Sequence, residues 1–299
     1  METLATTTVE LGGQTVTVPK DGFYDRYRMQ PDLDVIAQDH RVPSAKFFRS
    51  QPKTRVDSLV GPTWTPNFYY AISTARVTML ALTRAIRPRL PEQLSPLEVL
   101  PGVGLVSAMF FRYDVCDIDP YTEAAVGIAV QPARHGGARF VDLVAGLKND
   151  HLHSYVLSLP VSTEIAKVRG KDGYGFPKWV TDLDVAIGVD EVRARVANDA
   201  GGTDLSLVAA TPAQTARPNS EHVSSLTSYT TIDGAWHSTL SQTNVLASGT
   251  SRMPRGLTLT LGEGRLSDDL RSLRPIRTLQ FDVVTQGQLA LHLPVPTSI

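Results

Sequence analysis

Alternation of apolar and polar residues with a period of two, broken repeatedly by turn residues, runs through most of this chain. That pattern builds half-buried antiparallel strands and leaves little room for a helical fold. "VELGGQTVTV" (9–18) has two alternating arms around Gly12-Gly13, a pair suited to a tight hairpin turn. "EVRARVANDAGGTDLSLVAA" repeats the arrangement around Asp199-Ala200-Gly201-Gly202, and "YTTIDGAWHSTL" around Asp233-Gly234. "NFYYAIS" (67–73), "VGLVSAMFFRY" (103–113), "YTEAAVGIAV" (121–130), "HSYVLSLPV" (153–161) and "GLTLTL" (256–261) read as further strands, with 277–284 and 288–293 as the last two. Helical signals are few. "ARVTMLALTRAI" (75–86) sets Met79, Leu82 and Ile86 on one helical face, stopped by Pro88. Short helices are expected near "PDLDVIAQD", "SAKFFRS" and 162–170, and "LSDDLRSLRP" offers Ser267 as an N-cap with Pro275 after the end. "ATPAQTARPNSEH" (210–222) is the clearest loop, and strands continue on both sides of it. The expectation is an α+β fold: a large, mostly antiparallel sheet curled into a barrel, with a few short helices. Residues 1–60 read as an N-terminal extension packed on a main domain, 61–299.

Composition excludes several classes of function. A hydrophobic fraction of 42% and a charged fraction of 20% belong to a globular chain, not a disordered one. The net charge of −1 argues against a non-specific grip on nucleic acid or an anionic membrane. No apolar run approaches the roughly 18–20 residues a spanning helix needs. The first residues, "METLATTTVELGG", lack the basic and apolar regions of a signal peptide, and Cys116 is the sole cysteine, so a cytoplasmic location is expected.

Chemistry-bearing motifs are sparse. "HLH" (151–153) puts two imidazoles on one strand face, which suits a metal site or, more simply, a hydrogen-bonded pair. "PGVGLV" opens a strand rather than a helix and does not fit a phosphate cradle, and no G-x-S-x-G elbow is present. Cys116 reads as a small buried residue. In "YTEAAVGIAV", extended backbone puts Tyr121, Glu123, Ala125, Gly127 and Ala129 on one face, and a bulkier set that belongs in a core on the other. A carboxylate beside small residues is a candidate acid/base next to open space; close packing against a neighbouring strand is the equal alternative. "DGYGFPKW" (172–179) frames Lys178 with Tyr174, Phe176 and Trp179. Desolvation disfavours an ammonium and can lower a lysine's pKa by up to roughly 3–5 units, which makes an amine nucleophile able to form a Schiff base with a ketone. A surface lysine lying across an aromatic patch is the plainer reading of such a turn.

"YTE" at 121–123 together with "GYGFPKW" at 173–179 resembles the acetoacetate decarboxylase superfamily, whose motifs are a Y-x-E strand and a later lysine after an aromatic–proline step. The resemblance extends through "ALTRAIRPRLPEQL", "STEIAKVRGKDGYGFPK" and the closing "GLTLTLGEGRLSDDLRSLRPIRTLQFDVV", roughly residues 60–293. It implies a cone-like β-barrel, a homo-oligomer, no metal or organic cofactor, and a small keto compound as partner. It implies Lys178 as the imine-forming amine and Glu123 as the acid/base, with Tyr121, Tyr174, Phe176 and Trp179 around the substrate. The chain departs from the family pattern in three places. Trp179 stands where a second lysine is usual, the strand "LVSAMFFRYD" carries Ala108 near the place of a second glutamate, and "GPTWTPNFYYAIS" lacks an arginine. Two functions follow as expectations. One is a Schiff-base lyase acting by decarboxylation or by enamine aldol, dehydration or cyclisation chemistry. The other is a non-enzymatic binder of a small apolar carboxylate.

Overall fold

The computed structural model describes residues 5–133, 151–216 and 223–299. Seven strands close into a barrel in the order His151–Val161, Val223–Ile232, Ala235–Arg252, Pro275–Leu291, Asn67–Leu82, Val103–Cys116 and Tyr121–Pro132, which returns to His151–Val161. Neighbours are antiparallel except His151–Ser154 against Ser225–Ser228. A second, four-stranded antiparallel sheet is built from Leu183–Ile187, Glu191–Ala197, Thr203–Ala210 and Thr258–Leu261. It lies against the outside of the barrel, and the layer between them is the main core. Ala75, Val77, Met79, Val106, Ala108, Phe110, Val126 and Ile128 from the barrel meet Val185, Val192, Val196, Leu205 and Leu207 there. The α+β barrel expected from the alternation is the observed fold. Among the described residues no helix is long and apolar enough to cross a membrane.

Both hairpin turns with paired special residues form as read. Gly12 and Gly13 take φ of 57° and 72°, and Asp233 and Gly234 take 50° and 79°. The helix expected over 75–86 does not form. Residues 67–82 are one long strand, and only Thr83–Ile86 turns helical. Ala75, Val77, Met79 and Ala81 are buried on one side of it, so the same apolar residues that fit a helical face also fit a period of two, and pairing on both edges decides between them. Ser267 is not an N-cap either. The helix runs Arg265–Ser272, and its first N–H groups, Leu266 and Ser267, donate to the Asp204 carboxylate from the outer sheet. The two strands expected at the C-terminal end are one irregular strand, Pro275–Leu291. Of the expected loop over 210–222, residues 217–222 lie outside the described residues.

The N-terminal segment packs on one end of the barrel. Val9, Leu11, Val16, Val18, Tyr24 and Met29 share a core with Tyr69, Tyr113, Tyr121 and the helix Glu164–Asp172.

Candidate active site

The turn after the helix Glu164–Asp172 folds back on the helix end. Gly175 N–H donates to Lys171 O, Phe176 N–H to Gly170 O and Lys178 N–H to Phe176 O. Gly175 has a φ of +72° and packs against Ile232 and Thr231, which leaves no place for a side chain. Pro177 then releases the chain into a short strand, Lys178–Val180, paired in parallel with Leu159–Val161. This places Lys178 beside the strand that carries Glu123, because Val161 is opposite Glu123 in the barrel ladder.

Lys178 Nζ donates to Glu123 Oε2 at 2.5 Å. The two side chains are 7% and 8% exposed. The other carboxylate oxygen, Oε1, accepts from the Tyr113 hydroxyl at 3.2 Å. Burial first, and then the charge of Glu123, hold the Tyr113 phenol well above its ordinary pKa, so it remains a protonated donor. Tyr113, Tyr121 and Tyr69 form one aromatic group, with ring centroids 4.5 Å and 4.6 Å apart and the Tyr69 and Tyr121 hydroxyls 3.2 Å from each other. The lysine ammonium lies 5.7 Å from the centre of the Tyr121 ring.

On the other side the lysine stem lies on Gly170. A Cβ at that position would come within 2.3 Å of Lys178 Cδ and 2.5 Å of Cε. The rest of the wall is apolar: Ala125, Leu159, Tyr174 and Phe176 are buried together, flanked by Met109, Phe111, Val156 and Leu291. The two-faced reading of the 121–130 strand holds, since Ala124, Val126, Ile128 and Val130 go to the main core while Tyr121, Glu123 and Ala125 face the lysine side. A Cβ on Gly127 would make ordinary contact with Tyr155 O at 3.7 Å, so a methyl group fits there without a clash.

Of the residues singled out in the sequence, Lys178, Glu123 and Tyr121 come together, and Tyr174 and Phe176, stacked with centroids 6.2 Å apart, join the wall. Trp179 does not share the lysine's side. Strand alternation turns it away, and the Arg265 guanidinium lies 4.3 Å from its ring. Ala108 is likewise turned into the main core, and the neighbouring positions on the lysine side are Met109 and Phe111. The sequence reading missed Tyr113, although its spacing of two from Phe111 in "FFRYD" was a usable signal. It also missed Gly170 as the seat of the lysine stem, for which one glycine in a helix gives no signal.

His151 and His153 stack at 5.0 Å, bonded to Thr227 and Tyr229. Among the described residues no group of three or more His, Cys, Asp or Glu is placed to hold a metal ion. Cys116 is buried, and its thiol donates to Asp119 O at 2.8 Å. Two open cavities, of about 460 and 350 Å³, are lined by neither Lys178 nor Glu123: one is beneath the N-terminal hairpin, the other behind the Lys171–Gly175 turn.

A closed barrel that seats one buried lysine on a glycine, against one carboxylate and an apolar wall, defines an amine-bearing site. The family model described as acetoacetate decarboxylase matches residues 60–286, and the chain belongs to that family. Membership supports an enzyme. Among solved structures, the chain is similar to the acetoacetate decarboxylase of Legionella pneumophila subsp. pneumophila str. Philadelphia 1, with 13% identity, a TM-score of 0.57, and coverage of 88% of this chain and 95% of that one. It is also similar to the enduracididine biosynthesis enzyme MppR complexed with pyruvate, with 15% identity, a TM-score of 0.52, and coverage of 78% and 91%. These likenesses concern the fold. No curated protein sequence matches the chain.

Proposed function

We propose that the protein is a Schiff-base-forming lyase that acts on a small keto acid or ketone through Lys178. The observation that carries this reading is the buried Lys178–Glu123 pair at 2.5 Å, closed in by aromatic and aliphatic side chains. The ammonium passes a proton to Glu123, and the freed amine attacks the substrate carbonyl carbon. The carbinolamine takes the proton back on oxygen and expels water, which leaves a protonated imine. That imine is the electron sink for the next bond broken. Loss of CO2 from a β-keto acid puts the electron pair into an enamine. Loss of an α-proton to the Glu123 carboxylate gives an enamine as well, which adds to an aldehyde or expels a β-hydroxyl group. Protonation of the enamine and attack by water return the amine. Tyr113 holds Glu123 from behind and keeps one oxygen turned to the lysine.

Two features support the proton-transfer branch. Glu123 is the one carboxylate bonded to Lys178 among the described residues. A structural neighbour, MppR, is described with the condensation product of pyruvate and imidazole 4-carboxaldehyde. Decarboxylation remains the activity for which the family is named.

The test is covalent trapping. The protein is incubated with pyruvate, acetoacetate or acetone, reduced with borohydride and digested, and the peptide carrying Lys178 is weighed. A reduced adduct on Lys178, absent from Lys178→Ala, is the expected result. An intact protein that yields no adduct with any of the three would overturn the imine and leave a carboxylate-binding pocket as the reading.

A further inference from the structure

Arg169 is the one buried arginine or lysine without a paired carboxylate among the described residues. Its residue is 3% exposed, on the buried face of the helix Glu164–Asp172. Nη1 donates to Thr63 Oγ1 at 3.2 Å, and Nε is buried with no partner. No carboxylate among the described residues is paired with the guanidinium, whereas Lys53 nearby has Asp117 to itself. The Tyr174 hydroxyl is buried against the guanidinium and within its donors' reach, though the contact falls short of a full hydrogen bond. A buried cation in this condition is costly unless an anion completes it.

The open side of the arrangement is the cavity of about 460 Å³ under the N-terminal hairpin. Thr63, which holds the guanidinium, lines it, and so do Tyr24, Arg28, Met29, Thr8 and Glu10. Tyr24 feels the charge of two guanidinium groups. Arg28 is 5.3 Å from its ring, and the charges of Arg28 and Arg169 both act on its phenol. Glu10 is the acid on this wall and is engaged with the Thr15 hydroxyl at 2.7 Å. Arg28 is tied to Asp25 at 3.2 Å, so the positive charge left over is that of Arg169.

We propose that Arg169, with the hydroxyls of Thr63 and Tyr24, forms a binding site for a small carboxylate, entered from the cavity beneath the N-terminal hairpin. An arginine presents a planar fork of donors that matches two carboxylate oxygens. The Thr63 hydroxyl, which donates to the weak thioether acceptor Met29 Sδ at 3.1 Å, would turn to the carboxylate, and the Tyr24 hydroxyl adds a donor. Arg169 precedes Gly170, on which the Lys178 stem lies, so one turn of helix carries both the anion site and the seat of the amine. The carboxylate has two sources: the substrate's own acid group, or a separate small acid that occupies the cavity.

The first measurement does not depend on imine chemistry. Thermal midpoints are recorded in rising sodium acetate and in sodium chloride of equal ionic strength. Acetate is expected to raise the midpoint of the wild type and of Lys178→Ala along a saturating curve, while chloride does not. Arg169→Gln removes that rise, and Arg169→Lys restores part of it. If Arg169→Gln fails to fold, Thr63→Val keeps the guanidinium and weakens apparent acetate binding by about tenfold, the value of one lost hydrogen bond to a charge. The same rise in acetate and chloride for the wild type, or an unchanged acetate effect in Arg169→Gln or Thr63→Val, overturns the site. The second measurement separates the sources, and it alone rests on the trapping reaction proposed above. If trapping by pyruvate falls tenfold or more in Arg169→Lys while trapping by acetone is unchanged, the site holds the substrate's acid group. If both are unchanged while the acetate effect is lost, it holds a separate acid. Absence of trapping in the wild type defeats the imine and leaves the acetate result standing on its own.

Discussion

Lys178 and Lys53 each lie with an ammonium 2.5 Å from a carboxylate oxygen, and each side chain is less than a tenth exposed. Their surroundings differ. Lys53 also donates to Met29 O and lies 4.5 Å from the centre of the Phe68 ring. Its partner Asp117 accepts from Phe68 N–H at 2.6 Å and from the Tyr70 hydroxyl at 2.8 Å. Burial pushes Lys53 down and Asp117 up, and each shift is opposed by the other's charge. The donors and acceptors of that pair are engaged, and they tie the N-terminal segment at Met29 to the barrel at Phe68 and Asp117. Lys178 has Glu123 and the face of Tyr121, a glycine under its stem, and an apolar wall beside it. A lysine bonded on every side is a clamp. A lysine held by one proton acceptor beside small residues is available to react. Burial and a salt bridge alone do not distinguish these roles; the remaining partners do.

Exchanging the two lysines for alanine puts the largest strain on that contrast. Lys178→Ala is expected to abolish trapping and turnover and, since it strands Glu123 but breaks no second hydrogen bond, to cost less stability than Lys53→Ala. Lys53→Ala is expected to keep Lys178 reactive and to lower unfolding stability by roughly 3–5 kcal/mol, because it strands Asp117 and frees Met29 O together. Urea unfolding and borohydride trapping on both variants read the two effects. Equal losses of stability in the two variants would break the distinction.

The carboxylates come next. Glu123→Gln should leave the imine detectable while turnover falls about 10²–10⁴-fold, the usual worth of a positioned acid/base. Asp117→Asn should leave turnover within a few-fold and lower stability by roughly 1–3 kcal/mol. A Glu123→Gln variant that turns over at the wild-type rate would remove Glu123 from the chemistry.

Gly170→Ala sharpens the claim about the lysine's seat. Alanine is the better helix former by about 1 kcal/mol, and the atoms it would strike are the far end of a flexible side chain. Stability should therefore change little. The amine is displaced from Glu123, and trapping by pyruvate should slow by about tenfold or more, following the steep cost of a small misplacement. A loss of stability with unchanged trapping would assign Gly170 to packing alone.

How far the sequence reaches can be traced along the same residues. Alternation predicted both faces of the Glu123 strand, since a period of two forces the assignment once one face is bulky. The same alternation inside "ARVTMLALTRAI" was hidden, because alanine, methionine and leucine suit a helix and a strand alike. Lys178 and Glu123 became legible only as a pair, since each motif alone has a plain surface reading. The register of Val161 against Glu123, which joins them, depends on barrel closure and has no local signal. Arg169 and Lys53 were illegible for a related reason. Charged residues in a helix or a polar segment read as exposed, and their burial is decided by the N-terminal segment folding over them. Trp179 carried the opposite error: an aromatic next to the key lysine looked like its neighbour, and alternation puts it on the other side.

The smallest effect tests acid sensitivity in a region away from both lysine pairs. His153 stacks between His151 and Tyr229, with its Nδ1 and the Tyr229 hydroxyl 3.0 Å apart. Burial first, and then the charge of His151, hold its pKa below the ordinary value. The folded state therefore takes up this proton less readily than the unfolded chain. Above about pH 6.5 both forms are neutral and His153 contributes nothing to pH dependence. As the pH falls through that value the unfolded chain binds the proton first, and stability is lost down to the lowered folded pKa. His153→Gln should flatten this loss between about pH 6.5 and 5 by roughly 1–2 °C in the thermal midpoint. If His153→Gln leaves the whole acid limb unchanged, the acid sensitivity lies outside His153, and Asp117 cannot be its source, because burial raises its pKa and the folded chain takes up that proton more readily than the unfolded one.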